Sequence, residues 1–171
     1  MEYFKKEKPV SQTSICGGID YEENNYHFSY TYYEEIDEYS NPSGKRITGP
    51  KKITRHGMFR YCWPGCLTVM YDAEFVGLIQ IEDIKKNNDY AMWLKVCKKT
   101  NCYLLAEILG QYRKGRKGSI SSHNFESLII WHYKLFKEAE KENSILAFWH
   151  TFWNLVFGLY KKIKYIKGER R

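Results

Sequence analysis

The chain has 171 residues, 43% hydrophobic and 17% aromatic, which suits one domain with a real core and excludes a disordered tract. Its formal net charge of +7 is unevenly placed: residues 1–42 hold three Lys against nine Asp and Glu, leaving 24 basic and 11 acidic residues from 43 onward. That long cationic part suits phosphate-bearing or anionic-surface partners, and the charged N-terminal MEYFKKEKPVSQTSICGG argues against a signal peptide.

Residues 1–21 show no assignable pattern. The aromatic run YHFSYTYYEEID, 26–37, predicts a strand, and Asn41-Pro42-Ser43-Gly44 a turn after it. GKRITGPKKITRHG then reads as a basic loop with one short extended piece; Arg55 and His56 within it are given no role. After Trp63-Pro64-Gly65, the apolar run CLTVMY, 66–71, predicts a buried strand. FVGLIQI, 75–81, fits a second strand or an extended loop. Tyr90, Trp93, Leu94 and Cys97 recur at i, i+3, i+4, i+7, which predicts a helix over roughly 88–99. CYLLAEILGQYR follows as a strand-like or irregular return.

From Phe125 onward the period is helical. Phe125, Leu128, Ile129, His132, Leu135, Phe136 and Ala139 share a face, with Ser121, Ser122 and Asn124 as caps. The last helix carries Ile145, Phe148, Trp149, Phe152, Trp153, Val156, Phe157 and Tyr160 at alternating spacings of three and four, followed by Lys161, Lys162, Lys164, Lys167, Arg170 and Arg171. Two readings stand: the aromatic stripe docks on the domain, or Trp149, Trp153, Lys161, Lys162 and Lys164 contact an anionic membrane surface. With His150, Thr151 and Asn154 inside a stretch of about 17 residues, the helix is too short and too polar to span a bilayer.

Five cysteines, an odd number without an export signal, read as thiols of a reducing cytosol. Cys62/Cys66 and Cys97/Cys102 lack zinc-knuckle spacing, and Cys97 lies on an apolar stripe, so buried thiols are expected rather than zinc. Asp89, just after Asn87 and Asn88 and before the 90–97 stripe, is a cap by local pattern and a candidate for chemistry by its carboxylate.

Four stretches in order carry a resemblance: YHFSYTYYEEIDEYSNPSGK, PGCLTVMYDAEFVG, DIKKNNDYAMWLKVCKK and ILGQYRKGRKGSIS. From about Glu22 to the C-terminus they resemble the C-terminal half of bacterial family 2 glycosyltransferases, the inverting GT-A type that builds surface polysaccharides. The resemblance implies an α/β fold: a partial GT-A mixed sheet over 22–122, then two amphipathic helices over 123–171. It implies that Asp89 is the catalytic base, taking the proton of an acceptor hydroxyl as it attacks the anomeric carbon of a nucleotide-activated sugar. Tyr112 and Arg113 would contact a donor diphosphate or the pyrophosphate of a lipid-linked acceptor, while Trp63 would reshape the acceptor floor and Asn88 would lie in the substrate site next to the base, changing its positioning. Both of these last depart from the family pattern, which has a small polar residue and Glu or Gln at the corresponding places.

Complete enzymes of this kind have a nucleotide-binding half with an Asp-x-Asp motif holding Mg or Mn. Neither is found here, and Glu35-Ile36-Asp37 falls in the strand and turn after the donor site and reads as surface acid. The expectation is therefore a cytoplasmic chain, peripheral on the inner face of the plasma membrane, that holds the base but no metal of its own. Its partners would be a nucleotide-sugar donor and a saccharide or lipid-linked acceptor, and it is not expected to turn over alone. The alternatives are a gene fragment that folds poorly, or a non-catalytic basic module binding anionic lipid or nucleic acid. No RNA-binding aromatic motif or helix-turn-helix pattern supports specific nucleic-acid recognition.

Overall fold

A computed structural model describes residues 26–115 and 125–168. Expectations for residues 1–21, for the caps Ser121, Ser122 and Asn124, and for Arg170 and Arg171 lie outside the described residues. The described chain is a mixed α/β fold. Its elements are β1 (Phe28–Ile36), β2 (Pro42–Ile47), β3 (Lys52–Ile53), α1 (Arg55–Arg60), β4 (Val69–Tyr71), α2 (Ala73–Val76) and α3 (Asn88–Cys97), then β5 (Cys102–Arg113), α4 (Phe125–Lys134), α5 (Ser144–Lys164) and β6 (Ile166–Gly168).

The aromatic and β-branched run of β1 forms the central strand of a six-stranded sheet ordered β3-β5-β1-β2-β6. It pairs in parallel with β5 on one side. On the other it pairs antiparallel with β4 through Phe28–Tyr30 and with β2 through Tyr33–Ile36. A parallel partner requires a long crossover, and residues 37–101 provide it.

The β1–β2 turn falls at 37–41, not at 41–44. The Asp37 carboxylate accepts the Tyr39 and Asn41 amides at 2.9 and 2.8 Å and the Asn41 side chain at 3.1 Å, an Asx turn that closes the hairpin early. Those bonds to Asn41 hold the Asp37 carboxyl below its ordinary range. Pro42 then opens β2, where a missing N–H is tolerated.

Further corrections follow the same logic of local satisfaction. The expected basic loop contains β2, β3 and α1, the last capped by Thr54 Oγ1 on Gly57 N at 3.2 Å. CLTVMY is a 3-10 turn over Cys66–Thr68 and a short, half-buried β4 rather than a buried strand. FVGLIQI begins inside α2, whose Asp72 cap accepts from Glu74 and Phe75, and continues without regular structure. CYLLAEILGQYR is a twelve-residue strand with two register shifts against β1.

The core sits between the sheet and α3. Tyr90, Trp93, Leu94 and Cys97 are all buried there with Phe28, Met58, Val76, Leu135 and Phe136, each large side chain contributing about 1.5–3 kcal/mol. On α4 and the π-helical turn Leu135–Ala139, only Leu135 and Phe136 of the expected face are buried, while Phe125 and Leu128 are exposed.

The last helix docks by the face opposite to its aromatic stripe. Ala147, Thr151, Asn154 and Lys161 are buried and Trp153 and Phe157, at one edge of the stripe, are half-buried, Phe157 against the core, whereas Ile145, Phe148, Trp149, Phe152, Val156 and Tyr160 are exposed. The reason lies in α1, whose last carbonyls have no helical partner. Tyr90 Oη donates to Met58 O at 2.6 Å and Asn154 Nδ2 to Phe59 O at 3.0 Å, while Gly57 O accepts the Tyr61 amide that closes the helix at 3.3 Å and Trp63 Nε1 at 3.0 Å. Lys161 Nζ donates to Trp63 O at 2.7 Å. The Phe59 and Trp63 carbonyls are met by donors on α5, so its polar side turns inward.

Burial lowers the pKa of His132 and of His150; the His150 ring meets Phe59 and Phe136 edge-on at 5.0 and 5.2 Å. A base with a depressed folded pKa binds protons more readily when unfolded. Stability is therefore expected to be full above about pH 6.5, the ordinary histidine value, and to decline as pH falls below it. Thermal melts between pH 7.5 and 5.5 check this, and a His132→Gln/His150→Gln protein should show a flatter profile. Burial, then the Glu140 charge, raises the pKa of Glu142. That carboxyl has the opposite sign: its contribution is present below its ordinary value and is lost as pH rises through the folded one.

Candidate functional site

The site is built where α3 begins. Asn87, at a positive φ of 61°, turns the chain into the helix, a conformation Asn tolerates better than most residues. Its side chain makes no capping bond, and Asn88 Oδ1 accepts the Asp89 amide at 3.0 Å. Asp89 is exposed at the first turn, where the helix dipole favours a negative charge. The next residue fixes its place: Tyr90 is buried and anchored to α1 through Met58 O.

The segment 64–68 lies against Asp89. The pKa of the Cys66 thiol is raised first by burial and then by the negative charge of Asp89 nearby. Two close approaches fix this segment on the sheet. A Cβ on Gly65 would stand 2.7 Å from Tyr33 Cε1, and one on Gly110 would stand 2.9 Å from Leu67 Cδ1. Tyr33 meets Tyr112 edge-on at 6.2 Å, and burial pushes its phenol up to about 12. Asp89, Asn88, the Pro-Gly-Cys segment, Tyr33 and Tyr112 therefore form one connected patch.

A measurable consequence follows for the thiols. Cys62, Cys97 and Cys102 are held protonated by burial, whereas Cys66 is exposed and feels Asp89. Asp89→Asn removes that charge, so Cys66 should alkylate faster at fixed pH. Peptide-resolved mass spectrometry after timed iodoacetamide treatment checks it; an unchanged Cys66 rate would show that the two groups are not neighbours.

The other site expectations are placed differently. Arg113 donates to the Glu38 and Asp37 carbonyls at 2.7 and 3.2 Å and to Ser40 Oγ at 2.9 Å, so its guanidinium clasps the β1–β2 turn. Trp63 is buried beneath the C-terminal half of α5, against Tyr61, Phe157, Tyr160 and Tyr165. Trp149 and Trp153 stack edge-on at 5.6 Å on α5. Of the three lysines assigned to a surface, Lys162 and Lys164 are exposed. Lys161 is turned inward over the Tyr61 ring, and burial lowers its pKa.

No cluster of three metal-ligating side chains occurs among the described residues, and the carboxylates nearest to such a role are engaged. Asp37 closes its turn, Asp72 caps α2 and meets His27 at 2.9 Å, and Glu35 meets Lys114 at 3.3 Å. No described helix is long and apolar enough to cross a membrane.

Arg55 and His56, which the sequence marks only as weaker candidates, stand together with Arg60, which it does not mark. They line a groove of about 750 Å³ with Trp149, His150, Trp153 and Phe157; the signal available was two arginines and a histidine within six residues.

No protein-family model matches the chain. Comparison with curated proteins gives the class: the chain is similar in sequence to bacterial glycosyltransferases. TuaG of Bacillus subtilis, provisionally named a teichuronic acid biosynthesis glycosyltransferase, is 32% identical over 123 residues, covering 71% of this chain and 48% of TuaG. WfaP of Escherichia coli, a UDP-Glc:alpha-D-GlcNAc-diphosphoundecaprenol beta-1,3-glucosyltransferase, is 34% identical over 107 residues, 60% of this chain and 39% of WfaP. The chain spans at most about half the length of these curated relatives.

Proposed function

We propose that this chain is the acceptor-side part of an inverting glycosyltransferase of family 2 and GT-A architecture, with residues 22–122 as the sheet portion and the helices from 123 onward flanking it. The observation that carries the reading is Asp89. Its carboxylate is open to solvent in the first turn of α3, and its charge is felt by Cys66 of the Pro64-Gly65-Cys66 segment. An alcohol is a weak nucleophile, and a carboxylate within hydrogen-bond reach makes it a competent one in a single inverting displacement. The sugar would come from a nucleotide diphosphate, and the acceptor would be a hydroxyl of an envelope saccharide, free or carried on a lipid diphosphate as WfaP's name describes for that protein. The divalent cation and the donor diphosphate would belong to a donor-binding part. Stabilising the leaving group is the task of that part, so the described residues do not complete the reaction.

The test is a titration of the purified chain with a water-soluble saccharide glycoside and, separately, with a nucleotide-sugar plus manganese, followed by tryptophan fluorescence. The reading expects saturable binding of the saccharide, retained in Asp89→Asn, and none of the nucleotide-sugar. A chain that ignores the saccharide and binds RNA oligonucleotides saturably would instead be a basic binding module.

A further inference from the structure

The inverted docking of α5 leaves an apolar surface without a protein partner among the described residues. Phe148, Phe152, Val156, Leu159 and Ile163 lie along it, with Phe148 67% and Ile163 85% exposed. At about 100° per residue, Lys162 and Lys164 fall roughly 100° to either side of this line. Long basic side chains flanking an apolar stripe can reach past it to a charged interface.

Beside the stripe runs the groove between α1 and α5. One wall is cationic through Arg55 and Arg60, with His56 beside them; the other is aromatic, with Trp149, Trp153 and Phe157. Arg55 and Arg60 stand over the Phe59 and Phe157 rings, each at 5.8 Å, and neither forms an ion pair with a carboxylate among the described residues. Glu142, the carboxylate among the lining residues, faces His150 at 3.7 Å. A site that is cationic on one side and aromatic on the other is complementary to an anionic amphiphile, phosphate on the guanidiniums and chain on the rings. We propose that the α1–α5 groove seats the phosphate of an anionic phospholipid while the outer face of α5 lies in the headgroup layer of a membrane surface. This does not rest on the glycosyltransferase reading.

The experiment is flotation of the full chain with vesicles of phosphatidylcholine, with or without phosphatidylglycerol, at low salt. Anionic vesicles should bind at least about tenfold more tightly, and binding should weaken as salt is raised. Arg55→Gln/Arg60→Gln should weaken binding to anionic vesicles roughly 30-fold, about fivefold per cation at a membrane surface. Phe152→Glu, at an exposed position, should abolish binding to both vesicle types with an unchanged circular-dichroism melt. Equal binding to both vesicle types would overturn the proposal, as would a double variant that binds like the parent or a Phe152→Glu protein that still floats. Binding that appears only when polyprenyl diphosphate is added to the vesicles would also overturn it, assigning the groove to a lipid-linked substrate instead.

Discussion

Asp89→Asn is expected to lower sugar transfer by about 10²–10⁴-fold, the usual contribution of a positioned general base, with little change in acceptor affinity. On the proposed reading, the assay must supply nucleotide-sugar, divalent cation and a donor-binding part. Asn keeps the side-chain shape and removes the proton acceptor. Because α3 is anchored by Tyr90 through Met58 O and not by Asp89, the substitution should leave the fold intact. A capping role would show the opposite pattern: transfer preserved and stability reduced by about 1 kcal/mol. Measuring kcat, KM and the urea midpoint on the same preparation separates the two. If the purified chain alone transfers sugar with a metal ion, the division of labour proposed here is wrong, although loss of that activity in Asp89→Asn would keep the base.

The largest effect on stability is expected at Asn154, a polar residue on a helix full of aromatics. Its amide donates toward Phe59 O, Tyr90 Oη and His150 O at 3.0, 3.1 and 3.2 Å and is only 2% exposed. Asn154→Ala leaves the Phe59 carbonyl and the Tyr90 hydroxyl short of a donor and opens a small void, which together should cost about 2–4 kcal/mol. Asn154→Leu fills the void but not the bonding, and should still cost about 1–3 kcal/mol. Phe152→Ser, on the outer face, should change stability by no more than about 0.5 kcal/mol. Equilibrium urea denaturation ranks the three, and a reversed ranking would mean that the aromatic stripe, not the polar one, faces the core.

That contrast shows how far the sequence could be read. The α3 stripe was legible because Tyr90, Trp93, Leu94 and Cys97 meet the core on the side their spacing marks out. The existence of α5 was equally plain, but periodicity identifies two faces without saying which one the protein covers. That choice is made by the open carbonyls of α1, an element hidden in what reads as a basic loop. β5 was obscured because most of its outer half is exposed and its pairing with β1 slips twice, so no clean alternation survives. At the site, Asp89 and Asn88 were marked by local pattern, and the resemblance added the role. The contact with Cys66 and the route through Tyr33 to Tyr112 depend on strands β1 and β5 lying side by side, which only the fold supplies. Arg113 and Trp63 illustrate the converse, residues whose chemistry suits a ligand but whose bonds are already spent on a turn and on a helix.

Strand β6 follows α5 after a single residue, and its Ile166 and Lys167 pair with Ile47 and Arg46 of β2. Thr48 adds two bonds to the Tyr165 carbonyl, at 2.8 and 2.9 Å. The helix is thus spliced into the sheet like the handle of a blade. A surface that grips the handle sets the angle of the blade, so the reach of Asp89 toward a substrate would be determined by attachment geometry and not by a swinging tether.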